Sequence, residues 1–240
     1  MSMPRETLAG IRLLIFDLDG TLVDSKTDLA LSVNAVREMM GLGALAHDLI
    51  ASYVGHGVNT LIRRALGDQA TNENVEKATA LFLRYYRDHM LDNTVMYPGV
   101  AETLETLGGR TLAVLTNKPV NFSREMLTRL GVAGRFAFIY GGNSFEQKKP
   151  DPVGVNKLIG DTGVRPRQTM IVGDSDTDVL TGRNAGVWTC AVTYGYGAEG
   201  LRACPPDILI DDFRELPSLL NGTKDAGSRT TLRHTRSIED

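Results

Sequence analysis

The sequence predicts an α/β fold, a Rossmann-like doubly wound parallel sheet with an α-helical cap inserted after its first strand. Three observations carry this. Leu13-Leu14-Ile15-Phe16 is a short unbroken apolar run bounded by charge, as in a strand buried on both faces of a parallel sheet. Helical periodicity then occupies residues 24–95. From the turn Tyr97-Pro98-Gly99 onward strands and helices alternate, the signature of parallel strands joined by crossover helices.

In order along the chain, residues 27–40 place Leu29, Val33, Val36 and Met40 on one helical face and stop at Gly41. Val58, Leu61, Ile62, Ala65 and Leu66 give a second stripe, and Val75, Ala78, Phe82 and Tyr85 a third. Beyond Gly99, strands are expected at 111–115, 136–140, 169–172, 189–192 and, as a short edge strand, 208–210. Helices are expected at 119–130, 152–159 and 176–185, with a last one after 210. The core therefore comprises residues 1–23 and 96–221 and the cap residues 24–95. Residues 222–240 are polar and aperiodic and are expected to form a disordered tail.

Composition excludes several function classes. With 26 basic and 29 acidic residues, a net charge of -3 and no basic cluster, neither nucleic acid nor a membrane surface is an expected partner. No run reaches membrane-spanning length. Cys190 and Cys204 form neither a metal spacing nor a disulfide framework, and no secretory signal precedes Asp17, so a reducing cytoplasm is the expected location. A monomer or a homodimer is compatible with everything above.

The chemistry lies where strands end. Asp17 and Asp19 leave a buried strand, where an acid costs several kcal/mol unless a metal or another partner offsets it; a solvated turn closed by Gly20 is the other possibility. The next strand ends in Thr116-Asn117-Lys118-Pro119, with Pro119 suited to the first helical position. Thr116 and Asn117 thus flank a helix N-terminus, where they serve either an anion or a plain cap. Lys148-Lys149-Pro150 offers two lysines that spacing does not distinguish. The strand at 169–172 ends in Gly173-Asp174-Ser175-Asp176-Thr177-Asp178, and Asp174 repeats the position of Asp17.

These four exits, in this order, resemble the haloacid-dehalogenase-like phosphatase superfamily. Its motifs match Asp17-Leu18-Asp19-Gly20-Thr21, Thr116-Asn117, Lys149-Pro150 and Gly173-Asp174 with Asp178, and the likeness spans nearly all of residues 11–220. It implies that the first strand lies centrally, between those carrying Thr116 and Asp174. It also implies a magnesium-dependent phosphomonoester hydrolase acting on a small phosphorylated metabolite. Asp17 is then the nucleophile that forms an aspartyl-phosphate, a role suited to a group already ionised at neutral pH. Asp19 is the general acid and base. Asp17, the main chain of Asp19, and Asp174 hold Mg2+, with Asp178 in outer support. Thr116, Asn117 and Lys149 hold the phosphoryl oxygens, and only the resemblance prefers Lys149 to Lys148.

Asp19 argues against carbon–halogen hydrolysis, since the dehalogenases of the superfamily lack an acid there. The absence of lysine between Lys26 and Lys77 argues against the phosphonate-cleaving branch, which needs a cap lysine. The loop Tyr53-Val54-Gly55-His56-Gly57, the opening Asp19 to Ser25 and the segment Pro206-Asp207-Ile208-Leu209-Ile210-Asp211 are similar to bacterial phosphoglycolate phosphatases. In the cap, Gly55, His56, Gly57 and Arg64, together with Arg63, are the candidate specificity residues; the three cationic ones are candidates for the substrate's second anionic end. The alternatives are a phosphomutase of the same fold, a phosphatase for another sugar phosphate or specialised metabolite, and a non-catalytic phosphometabolite-binding protein, which would not need Asp19. Gly195-Tyr196-Gly197-Ala198-Glu199-Gly200 mimics a dinucleotide fingerprint, but Pro205 and Pro206 leave no room for the long helix it requires. A loop beside the active site is expected there instead.

Overall fold

A computed structural model describes residues 5–222 and 231–232. After a 3-10 turn at Arg5–Gly10, β1 (Leu13–Phe16) leads to β2 (Val23–Asp24), which pairs antiparallel with β3 (Val95–Met96). Between the two strands of this ribbon stand α1 (Lys26–Met39), α2 (His47–Ala51), α3 (Val58–Leu66) and α4 (Asn72–His89). The chain continues with α5 (Val100–Thr106), β4 (Thr111–Leu115), α6 (Val120–Arg129), β5 (Phe138–Tyr140), α7 (Val153–Thr162) and β6 (Thr169–Gly173). It ends with α8 (Asp176–Ala185), β7 (Trp188–Val192), α9 (Ala198–Ala203), β8 (Ile208–Ile210), α10 (Glu215–Leu220) and β9 (Thr231–Leu232).

The main sheet runs β5-β4-β1-β6-β7-β8-β9, parallel except for the last strand. All four side chains of β1 are 0% exposed. Burying each contributes about 1.5–3 kcal/mol, so the first strand forms because it is apolar on both faces. Leu14 and Phe16 pack toward α5, α6 and α10, where Phe16 meets Phe213 at 5.7 Å. Leu13 and Ile15 pack with Val155 and Leu158 of α7 on the opposite face. The strand order reverses about β1, with β4 and β5 on one side and β6 and β7 on the other, and the crevice beyond its carboxyl end is where sheets of this kind place a site.

The expected bounds shift by one or two residues at most elements. Pro119 precedes α6 rather than opening it. In α4 the fourth inward residue is Tyr86, not Tyr85: both spacings fit a helix, and packing on Phe122, 5.7 Å away, selects Tyr86. β8 is covered by β9 and is not the sheet edge. Apart from Gly222, Thr231 and Leu232, the tail expected to be disordered lies outside the described residues. Among the described residues no helix is long and apolar enough to cross a membrane.

The four helices of the cap sit over the carboxyl edge of the sheet. Phe82 and Tyr86 stack at 5.3 Å, and both belong to the same apolar cluster as Phe122 and Met126 of α6. Asp28 of α1 closes the cap on itself. Its carboxylate accepts from the backbone and side chains of both Asn93 and Thr94, at 2.7–3.0 Å. Burial would raise its pKa, but these bonds outweigh burial and hold it below the usual carboxylate range.

Candidate active site

Register brings the strand exits together. Phe16 is level with Val114 and with Val172, so Asp17 leaves β1 one step before Thr116 leaves β4 and Asp174 leaves β6. The Asp17 amide donates to the Val172 carbonyl at 2.9 Å and extends the ladder into the site. The chain then coils about the Leu18 carbonyl, which accepts from the amides of Thr21, Leu22 and Val23. Gly20 makes the coil possible in two ways. Its φ is +82°, and a Cβ there would lie 2.3 Å from Asp174 Oδ2.

Asp174 is also approached closely by Gly195, where a Cβ would fall 2.2 Å from Asp174 Cβ. Its Oδ2 accepts from the amides of Tyr196 at 2.6 Å and Gly197 at 3.2 Å. The segment expected as a loop beside the site is therefore its wall, and only the six residues of α9 follow it. Asp178 is fixed by a capping box at the start of α8, accepting from the amide and hydroxyl of Ser175 at 3.2 and 2.7 Å. Lys149 Nζ lies 2.6 Å from Asp178 Oδ1 and 3.0 Å from Asp17 Oδ1. Lys149 is buried and Lys148 exposed, which separates the two lysines that spacing leaves equivalent.

Asp17, Asp174 and Asp178 each offer an oxygen within 4.8 Å of the others. Three carboxylates against one ammonium leave two surplus negative charges when all are ionised. Asp17 Oδ1 is buried and, despite the nearby ammonium, has no partner in hydrogen-bond geometry. A hard, oxygen-only donor set with this charge deficit fits a magnesium ion. In the protein alone, burial pushes the Asp17 carboxyl up, Lys149 opposes this and Asp178 adds to it. Burial, then Asp178 and Asp17, push Asp174 up further, against the two amides. Burial would lower Lys149, but Asp17 and Asp178 hold it raised.

The carboxylate of Asp19 stands outside this group. It points toward the cap and is held by Ser25 Oγ, which donates to Oδ1 at 2.6 Å, and by Lys118 Nζ at 3.0 and 3.2 Å. Lys118 also donates to the Tyr86 hydroxyl at 2.7 Å and lies 4.6 Å from the centre of that ring. Sequence reasoning gave Lys118 no role. One lysine in a loop looks solvated, and the available signal was its position between Asn117 and the proline that precedes α6. Burial alone would lower its pKa, and Asp19 with Tyr86 holds it raised.

Thr116 is buried, and its hydroxyl accepts from the Lys118 amide at 3.3 Å. The Asn117 side chain is committed to architecture. It donates to the carbonyls of Gly55 at 2.8 Å and Lys149 at 3.0 Å, and accepts from the Lys149 amide at 3.0 Å. This ties the cap loop to the core. A cavity of about 40 Å³ remains between cap and core, reached by Asp17, Asp19 and Lys118 and walled by Val54, Leu61, Phe82 and Phe122. Gly55 and Gly57 line it, and Gly57 passes so close to Asn117 that a Cβ would come 3.3 Å from its carbonyl. His56, Arg63 and Arg64 are exposed and do not line the cavity; Arg63 instead donates to Ala70 and Asn72.

Residues 14–192 match the family described as haloacid dehalogenase-like hydrolase. A phosphoglycolate phosphatase of Vibrio parahaemolyticus is 38% identical over 219 residues, covering 88% of this chain and 96% of that protein. One from Haemophilus influenzae is 39% identical, covering 87% and 98%. The crystal structure of a predicted phosphoglycolate phosphatase from Haemophilus somnus superposes with a TM-score of 0.82 at 35% identity, covering 86% of this chain and 96% of that one.

Proposed function

Since this chain belongs to the haloacid dehalogenase-like hydrolases and is a phosphoric monoester hydrolase, we propose that it cleaves 2-phosphoglycolate with the help of magnesium, through an aspartyl-phosphate on Asp17. The observation that carries this is the buried acid group around an Asp17 oxygen that lacks a hydrogen bond. Asp17 and Asp174, with Asp178 beside them and the main chain of Asp19, would hold the cation. When bound, the ion supplies charge neutralisation for phosphoryl oxygens approaching a carboxylate.

Asp17 attacks phosphorus, the bond to the glycolate oxygen breaks, and Asp19 gives its proton to that oxygen. In the second half, Asp19 takes a proton from the water that attacks the Asp17-bound phosphorus, and inorganic phosphate leaves with Asp17 restored. Lys149 and the main chain beside Thr116 stabilise the charge spread over the phosphoryl oxygens. The Asn117 amide contributes by holding Lys149 and the cap loop in place. The wall offered by Val54, Leu61, Phe82 and Phe122 is apolar and gives no partner to the hydroxyls of a sugar, which favours phosphoglycolate over the phosphomutase alternative.

The test is phosphate release from 2-phosphoglycolate against a panel of sugar phosphates, before and after chelation. Release should stop on chelation and return with magnesium, and Asp17→Asn should fall by at least about 1,000-fold. Isomerised sugar phosphate without release would indicate a mutase, and full activity in Asp17→Asn would remove the covalent intermediate.

A further inference from the structure

Among the described residues Lys118 is the one lysine lining the cavity, and its surroundings are unusual for a lysine. It is 7% exposed, lies against the Tyr86 ring, and spends its three donors on the two oxygens of Asp19 and on the Tyr86 hydroxyl. Two of those three bonds go to a single carboxylate. The longer one, to Asp19 Oδ2 at 3.2 Å, can pass to another acceptor while the 3.0 Å bond keeps Asp19 in place. The rest of the cap-side wall is apolar, with Val54, Leu61 and Phe82 offering nothing to an anion, and the cationic residues of the cap loop and α3 face outward.

We infer that Lys118 is the specificity-determining residue for the leaving group, receiving a carboxylate one methylene away from the ester oxygen that Asp19 protonates. Resting on the hydrolase mechanism above, this follows from reach. Asp19 must touch the ester oxygen, and Lys118 is 3.0 Å from Asp19, so a carboxylate carried on the adjacent carbon falls beside the ammonium. A phosphomonoester with a neutral tail leaves Lys118 bound to both Asp19 oxygens. A longer acid carries its carboxylate past Lys118 toward Leu61 and Phe82. The same ammonium therefore grips the acid that delivers the proton and the anion that identifies the substrate.

The experiment compares 2-phosphoglycolate, ethyl phosphate and the phosphate ester of 3-hydroxypropionate on the parent enzyme, Lys118→Met and Lys118→Arg. The parent should prefer 2-phosphoglycolate to ethyl phosphate by about 10- to 100-fold or more in kcat/KM, the range expected for a charge-assisted hydrogen bond. In Lys118→Met that ratio should collapse toward one, chiefly through KM for 2-phosphoglycolate, and Lys118→Arg should recover part of it. A Lys118→Met enzyme that loses both substrates by one common factor would overturn the inference, because Lys118 would then act only through Asp19. If Lys118→Met does not fold, the parent alone decides. Equal kcat/KM on 2-phosphoglycolate and ethyl phosphate, or no loss on the phosphate ester of 3-hydroxypropionate, overturns the inference while hydrolysis stands. Release from none of the three overturns the substrate reading itself.

Discussion

Asp174 has almost no freedom. Two glycines press against it and two amides hold its Oδ2. Gly195→Ala adds one methyl group at 2.2 Å from Asp174 Cβ and 2.5 Å from the Gly20 carbonyl, and should displace both the carboxylate and the loop that carries Gly20. The magnesium concentration for half-maximal activity is expected to rise about tenfold or more, as for other changes to residues that orient a ligand, and a magnesium titration of activity measures it. The raised carboxyls of Asp17 and Asp174 make a second prediction. A carboxyl that holds its proton more tightly when folded stabilises the fold below its unfolded pKa of about 4, and this contribution is lost as pH rises through the folded value. Metal-free protein should therefore lose Tm from about pH 5 to about pH 8, and magnesium should restore more Tm at the upper end. Asp17 and Asp174 were legible in the sequence because acids at the ends of apolar strands are costly, whereas nothing in the spacing separated Lys149 from Lys148 and only the resemblance did. Lys118 was not legible, because a lysine reveals its burial only once the cap closes over it.

At the level of elements, apolar patterning decided legibility. The long cap helices and the apolar strands, down to the three residues of β8, could be read, whereas β2, β3, α2 and α9 are too short to show a period and α5 was not expected either. The two-residue ribbon of β2 and β3 nevertheless matters, since it joins the chain entering the cap to the chain leaving it. Asp28 reinforces the same junction from α1. Asp28→Ala leaves the donors of Asn93 and Thr94 without their acceptor and should cost about 1–3 kcal/mol, read as a lower midpoint in urea. Because its folded pKa lies below the unfolded value, the parent's advantage is present above about pH 4 and fades as pH falls through the folded value.

For the whole molecule, cap and core share one apolar cluster, in which Phe82 and Tyr86 of α4 meet Phe122 and Met126 of α6. A boundary drawn from sequence at residues 23–24 and 95–96 separates texture, not packing. Calorimetry should accordingly give a single unfolding transition with matching calorimetric and van't Hoff enthalpies; two resolved transitions would show the cap to be energetically independent.

Tyr196 occupies two places in this molecule. Its amide holds Asp174, while its hydroxyl accepts from the Ser25 amide and donates to Asp24 at the base of the ribbon. Asp174 and the chain that enters the cap are therefore tied through one residue, so a cation held by Asp174 and a substrate held under the cap would act on the same hydrogen-bonded path. Such coupling is reciprocal by thermodynamic necessity: by whatever factor substrate tightens magnesium, magnesium tightens substrate.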